Sequence, residues 1–268
     1  NANVDMLPLI GSAELKTGFK AIVAQSLGIA EDALLAGDLI LYPRERGCVW
    51  GAENEFVSSA RLDDLQCVYG CLRGLLEAAD GESAAVLSVF DNEEVGSGTK
   101  QGADSSFLED VLCRVSAALG RSDVQYRALL TNSFMVSADN AHAVHPNHPE
   151  YADRNDRPEM NKGIVIKHNA NQRYTTDAVS AAAFETVCRR AEVPVQSFTN
   201  RADIAGGSTL GHISAAHVSI NTVDIGLAQL AMHSAYETAG AKDTEYLAAA
   251  AREFFGSSFT QRGEITEI

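Results

Sequence analysis

The sequence predicts an α/β protein in which helices cover a mainly parallel sheet, and three observations carry that prediction. From Arg61 onward, apolar runs of strand length alternate with stretches of helical periodicity, the pattern of successive strand–helix units. Glycines stand where helices should stop, as at Gly28, Gly81 and Gly120. Acidic residues stand at or just beyond strand ends, where open α/β sheets bind their ligands. The most pronounced case is Val89-Phe90-Asp91-Asn92-Glu93-Glu94-Val95-Gly96-Ser97-Gly98.

Taken in order, residues 1–58 differ in texture from the rest. Leu7-Pro8-Leu9-Ile10 is a short apolar piece, and Ala21 to Leu27 reads as a helix stopped by Gly28. Asp38 to Pro43 reads as a strand, and Gly47 to Gly51 as the next one after a turn. This is too little core for an independent domain, so 1–58 is expected to be part of a subdomain and 59–268 the main domain. Asp64 to Ala79 places Leu65, Val68, Leu72, Leu75 and Leu76 at helical spacing. Ala84 to Phe90 has the length and apolar content of a buried strand. Ser105 to Leu119 is a second helix, and Ser133 to Ser137 a strand running into Ala138-Asp139. A loop rich in His, Pro, Asn and charge fills 140–162. Gly163 to Lys167 is a strand, Thr176 to Ala191 a helix with Thr176 or Asp177 near its N-cap, and Val193 to Phe198 a strand. The glycine-rich turn Ala205-Gly206-Gly207-Ser208-Thr209 opens a helix to His217. Val218 to Ile225 is a strand, and Ala228 to Ala239 and Asp243 to Phe255 are helices.

Composition narrows the function. At 268 residues and 46% hydrophobic, the chain can bury a substantial core, and no apolar run approaches the roughly 20 residues of a membrane span. A net charge of −15 argues against a nucleic-acid surface and suits a carboxylate cluster that a divalent cation would neutralise. Cys48, Cys67, Cys71, Cys113 and Cys188 are odd in number and scattered, and the i, i+4 pair Cys67 and Cys71 has no second pair to complete a zinc knuckle. Reduced thiols in a cytoplasmic protein are expected. The chain opens on Asn1 with no charged or apolar leader pattern after it, as though within a longer sequence.

Potential metal ligands recur at strand ends and loop starts: Asp63, Glu93-Glu94, Asp139 and His233. A mixed carboxylate and imidazole set suits Zn²⁺, Mn²⁺ or Co²⁺. A bridging aspartate with flanking carboxylates and histidines can hold two ions about 3.5–4 Å apart for hydrolysis. Of two adjacent carboxylates, one can bind a cation while the other takes a proton from a bound water. Each position also has a dull explanation. Asp63 could cap a helix, Glu93-Glu94 could be a solvated turn, Asp139 could close its strand, and His233 could be a core histidine. Only their joint placement favours a site.

Arg61-Leu62-Asp63-Asp64, Asp91-Asn92-Glu93-Glu94-Val95-Gly96-Ser97, Ser137-Ala138-Asp139-Asn140-Ala141-His142-Ala143-Val144-His145-Pro146-Asn147 and Gln229-Leu230-Ala231-Met232-His233-Ser234 occur in this order. Together they resemble the aspartyl aminopeptidases, the M18 family of metallopeptidases, from about Gly51 to Phe255. Lys162 to Lys167, Gln172-Arg173-Tyr174 and Gly207 to Gly211 fit the same pattern. The resemblance implies a three-layer α/β/α sandwich of the phosphorylase/hydrolase-like, binuclear aminopeptidase type. Residues 1–58 would be part of an inserted dimerisation subdomain, and 59–268 the catalytic domain. It implies two divalent ions, zinc foremost with manganese or cobalt as alternatives, activating a bridging water. Asp63 would bridge them, Glu94 and His233 would hold one, Asp139 would hold the other, and Glu93 would be the general base. Lys167 would meet the acidic side chain of peptides with N-terminal Asp or Glu, with Tyr174 nearby as a hydrogen-bond donor. It also implies a cytoplasmic homo-oligomer, a dodecamer assembled from dimers.

One departure bears on this reading. The family's further metal-binding histidine belongs to an N-terminal segment of the type His-Thr-Asp-Ser, and all seven histidines here lie at or after His142. The expectation is an N-terminal segment that this chain lacks, and the join around Glu14 to Gly18 would suit an absent loop. Two rival readings remain: a neutral-residue aminopeptidase of the same family, and an inactive oligomeric scaffold or fragment. His142, His145 and His148 are expected to support the ligands from behind or to order the loop rather than to bind metal.

Overall fold

The computed structural model describes the backbone of every residue except Ala205, Gly263 and Glu264, and of Ala2 and Ile265 the backbone alone. Ala205, the first residue of the expected glycine-rich turn, therefore lies outside the described residues. The chain divides into two compact units, Asn1–Tyr42 and Pro43–Ile268.

The first unit holds helix α1 (Ala2–Asp5), capped by the Asn1 side chain, and helix α2 (Phe19–Leu27), closed by Gly28 as expected. The strand expected over Asp38 to Pro43 does not form, and Leu39, Ile40, Leu41 and Tyr42 are exposed. An apolar run becomes a strand only when a neighbouring edge takes up its N–H and C=O groups.

The second unit begins with strands β1 (Cys48–Trp50) and β2 (Phe56–Ser59), followed by helix α3 (Leu62–Glu77), α4 (Phe107–Ala118) and α5 (Asp123–Thr131). Helix α5 has no apolar stripe long enough to be read from the sequence, but Ser122 and Gln125 form a reciprocal capping box at its start. Next come β3 (Phe134–Ala138), β4 (Ala141–His142), β5 (Ile164–His168), α6 (Ala178–Arg190) and β6 (Val195–Thr199). The end of the unit contains α7 (Leu210–His217), β7 (Asn221–Gly226), β8 (Ala228–Leu230), β9 (Glu237–Gly240), α8 (Asp243–Gly256) and the antiparallel pair β10 (Thr260–Arg262) and β11 (Ile265–Glu267).

Two sheets carry the site. One runs β3-β7-β5-β6, parallel at β3/β7 and β5/β6 and antiparallel at β5/β7. The other runs β1-β2-β9-β8-β4 and is antiparallel except at β8/β4. Ile164, Ile166, Val223 and Ile225 from the first sheet pack with Phe184 and Val187 of α6 and Leu247 of α8, all at most 1% exposed. Each such side chain contributes about 1.5–3 kcal/mol by leaving water. Helix α3 lies hard against α8: a Cβ on Gly74 would sit 2.7 Å from the Arg252 nitrogen. That close approach holds α3, whose first turn carries Asp63, against α8.

Two expected elements differ. Ala84 to Phe90 has no regular secondary structure; it borders a cavity of about 660 Å³ together with Phe134 and Val136 of β3, without laddering to that strand. The helix expected over Ala228 to Ala239 is instead β8 and β9, joined by a turn. Ala231 (φ 58°) and His233 (φ 65°) are left-handed there, which ends any right-handed helix.

Candidate metal centre

Sheet geometry sets the floor of the cleft. Asp139 follows β3 directly, and its N–H donates to the Ile225 carbonyl of β7 at 3.1 Å. Gly226 is required beside it, because a Cβ there would collide with the Asp139 carbonyl oxygen. Lys167 lies on β5, is 2% exposed, and donates from Nζ to Asp139 Oδ2 at 3.0 Å. Its ammonium also sits 5.5 Å from the centre of the buried Tyr174 ring, so the phenol offers its face to the cation. Below them Asp224 of β7, 1% exposed, accepts from the Thr175 N–H at 2.6 Å, the Thr175 hydroxyl at 2.8 Å and the Thr209 hydroxyl at 2.8 Å. Asp224 therefore ties the loop of Tyr174 to the Gly207-Ser208-Thr209 turn.

The other wall is assembled from three distant segments. Asp63 is not used as a cap: its backbone is non-helical (φ −83°, ψ 107°), and its carboxylate reaches His233 Nε2 at 3.3 Å. Glu94 reaches the same nitrogen at 3.0 Å from a 3₁₀ turn, Glu93–Val95. Asp64 accepts from the Asn140 N–H at 3.1 Å, and the Asn140 amide donates to Leu62 O, Gln66 Oε1 and Gln229 Oε1. Asp63, Glu93, Glu94, Asp139, Lys167, Tyr174 and His233 all line one cleft of about 310 Å³.

Negative charge is crowded here. Burial, then Asp139 and Glu94, push Asp63 up to about 9. Burial, then Asp139 and Glu94, push Glu93 up to about 7. Burial and Asp139 raise the Asp64 carboxyl well above its ordinary range. Burial works against the Lys167 charge, but Asp139, Tyr174 and Asp224 outweigh it and hold the ammonium above its ordinary range. Two groups have ligand atoms within 4.8 Å of one another: Asp63, Glu94 and His233, and Asp63, Asp64 and Asp139. Asp63 belongs to both. Mutually repelling carboxylates with an imidazole fit a zinc-type dication.

The sequence profile of the aminopeptidase I zinc metalloproteases (M18) matches residues 9–255. The chain belongs to the M18 family. It is 47% identical over 259 residues to a probable M18 family aminopeptidase 2 of Clostridium acetobutylicum, across 95% of this chain and 60% of that protein. The chain spans about 60% of the length of the curated relatives it matches. An M18 aminopeptidase structure from Thermotoga maritima superposes with TM-score 0.81 at 25% identity, over 93% of this chain and 57% of that one. A structure described as the mApe1 dodecamer of S. cerevisiae gives 0.76 at 31%, over 88% and 54%. These structures agree with the α/β sandwich expected from the sequence, and zinc is the metal by which the family is described.

Within this M18 chain four further polar residues support the cleft without a role assigned to them from the sequence. Asp64 and Asn140 lie inside the quoted motifs and Asp224 and Glu237 in none; only the assembled fold shows which donors surround them. His142 lines the cleft, whereas the His145 and His148 rings lie 5.3 Å apart, tilted at 43°, on the exposed loop. Among the described residues, no helix is long and apolar enough to cross a membrane.

Proposed function

We propose that this chain carries the metal-binding and proton-transfer groups of a cytoplasmic binuclear aminopeptidase that removes N-terminal Asp or Glu from peptides. The observation that carries the reading is Asp63, shared between two groups of converging ligand atoms. Asp63 would be a ligand of both ions, with Glu94 and His233 as further ligands of one and Asp139 of the other. When bound, the ions polarise the scissile carbonyl and lower the pKa of the attacking water. Glu93, whose pKa burial raises to about 7, would accept a proton from the attacking water and return it to the leaving amine. Lys167 draws in the acidic side chain of the substrate over the Tyr174 ring. The protein works as a homo-oligomer, a dodecamer built from dimers, to which residues 1–58 contribute.

A second reading, release of neutral residues, is favoured by the Lys167–Asp139 pair. An ammonium already committed at 3.0 Å to a buried carboxylate has less attraction to spare for a substrate. Relative turnover of Asp-peptides and Leu-peptides by the complete protein decides between the two. For the chemistry itself, Glu93→Gln should lower kcat by about 10²–10⁴-fold while the metal content measured on the purified protein stays unchanged. Hydrolysis that survives a chelator would sink the metal reading altogether.

A further inference from the structure

Beside the cleft, the buried Glu237 carboxylate accepts from the main-chain N–H groups of two site residues. It opens β9 and is 2% exposed, and among the described residues it forms no ion pair. Its Oε2 accepts from the Asp63 N–H at 3.0 Å, and its Oε1 accepts from the His233 N–H at 2.7 Å. Those residues come from segments 170 positions apart in the chain, yet a single planar carboxylate spans them. Both sit in backbone conformations that regular structure would not supply. Asp63 interrupts the first turn of α3, and His233 is left-handed at φ 65°. Left-handed backbone is unfavourable for a residue with a β-carbon, so something must hold it there. Charge-assisted hydrogen bonds to a buried carboxylate do so.

We propose that Glu237 is a positioning residue that sets the separation of the Asp63 and His233 side chains, 3.3 Å at their nearest atoms, by holding both backbones at once. This rests on the reading of Asp63 and His233 as metal ligands. A clamp of this kind raises metal affinity by removing the freedom of the ligands before the ion arrives. It also accounts for the turn between β8 and β9: the His233 N–H is satisfied by Glu237 instead of a helical carbonyl.

The test is Glu237→Gln, which keeps the shape but leaves one oxygen for two N–H donors and turns an NH₂ toward the other. Cobalt(II) ions are titrated into the purified complete protein, with affinity from chelator competition and the visible absorption band as the signature of ligand geometry. The variant should bind cobalt about 10- to 100-fold more weakly, with a changed band and an unchanged far-ultraviolet dichroism spectrum. Equal affinity and an equal band in a variant that has only a lower melting temperature would show a purely structural role and overturn the clamp, leaving the metal reading intact. A wild-type chain that binds no cobalt would overturn the metal reading, and the clamp with it. If Glu237→Gln does not fold, amide hydrogen exchange of the wild-type chain decides. Protected Asp63 and His233 amides support the clamp, and rapid exchange at either one overturns it.

Discussion

On the floor of the cleft, Asp224 has three donors within 2.8 Å and Lys167 is sealed against Asp139 with its side chain 3% exposed. At the rim, Glu93 and Glu94 ride a turn of three residues, and the Glu94 side chain is 53% exposed with only His233 as an ion-pair partner among the described residues. Both regions gather carboxylates, but only the floor satisfies them internally. A group fully satisfied by the protein stabilises the fold and leaves little for a ligand. A group short of partners costs the fold something and keeps that free energy for whatever binds. The floor should therefore show itself in stability and the rim in metal binding.

The largest effect on stability is expected from the floor. Lys167→Met removes one partner of a buried pair and leaves Asp139 facing Asp63 and Asp64 without its cation. It should cost about 3 kcal/mol or more, read from urea denaturation in the presence of chelator. A loss below about 1 kcal/mol would mean that the ammonium is free enough to serve a substrate instead, and the contrast between floor and rim would weaken.

A smaller effect follows from pH, with a sign that the crowding dictates. In the metal-free chain the folded state holds Glu93 near 7 against an ordinary 4.5, and Asp63 near 9 against 3.8. A carboxyl with a raised folded pKa binds protons more tightly in the native than in the unfolded chain. Its contribution is fully present below the ordinary carboxylate range and is lost as pH rises through the folded value. Stability of the chelated protein should therefore fall from about pH 5 to pH 9, and saturating zinc should flatten that slope. A chelated protein that gains stability over the same range would mean the carboxylates do not repel one another as the geometry requires.

How much of this could be read from the sequence depends on what holds each residue. The strands carrying Asp139 and Lys167 announce themselves by buried apolar runs such as Ile164-Val165-Ile166, and the acid pair Glu93-Glu94 is visible because it is contiguous. The helix expected over Ala228 to Ala239 does not form: its apolar residues fit either period, and the deciding contact, Glu237 to the His233 N–H, is invisible until the chain is folded. Ala84 to Phe90 has strand composition, but pairing needs a partner edge, which composition does not encode. Asp224 and Asn140 escape for the same reason: a buried polar residue is defined by donors from elsewhere in the chain.

The smallest effect on stability should come from Glu94→Gln, and its smallness is the point. The change removes the contact of Glu94 with His233 at 3.0 Å, a half-exposed pair worth little in water. It also removes a negative charge that pushes the Asp63 and Glu93 carboxyls toward their protonated forms. These contributions oppose each other, so the chelated variant should unfold within about 0.5 kcal/mol of wild type. The same substitution takes an oxygen donor out of the group formed with Asp63 and His233, so cobalt affinity should fall at least about tenfold. A floor substitution that unfolds the chain and a rim substitution that spares the fold but loses the metal would separate the two regions by measurement. If Glu94→Gln instead destabilised the chelated protein as much as Lys167→Met, the rim would be as fully built into the fold as the floor, and its carboxylates would not be waiting for a cation.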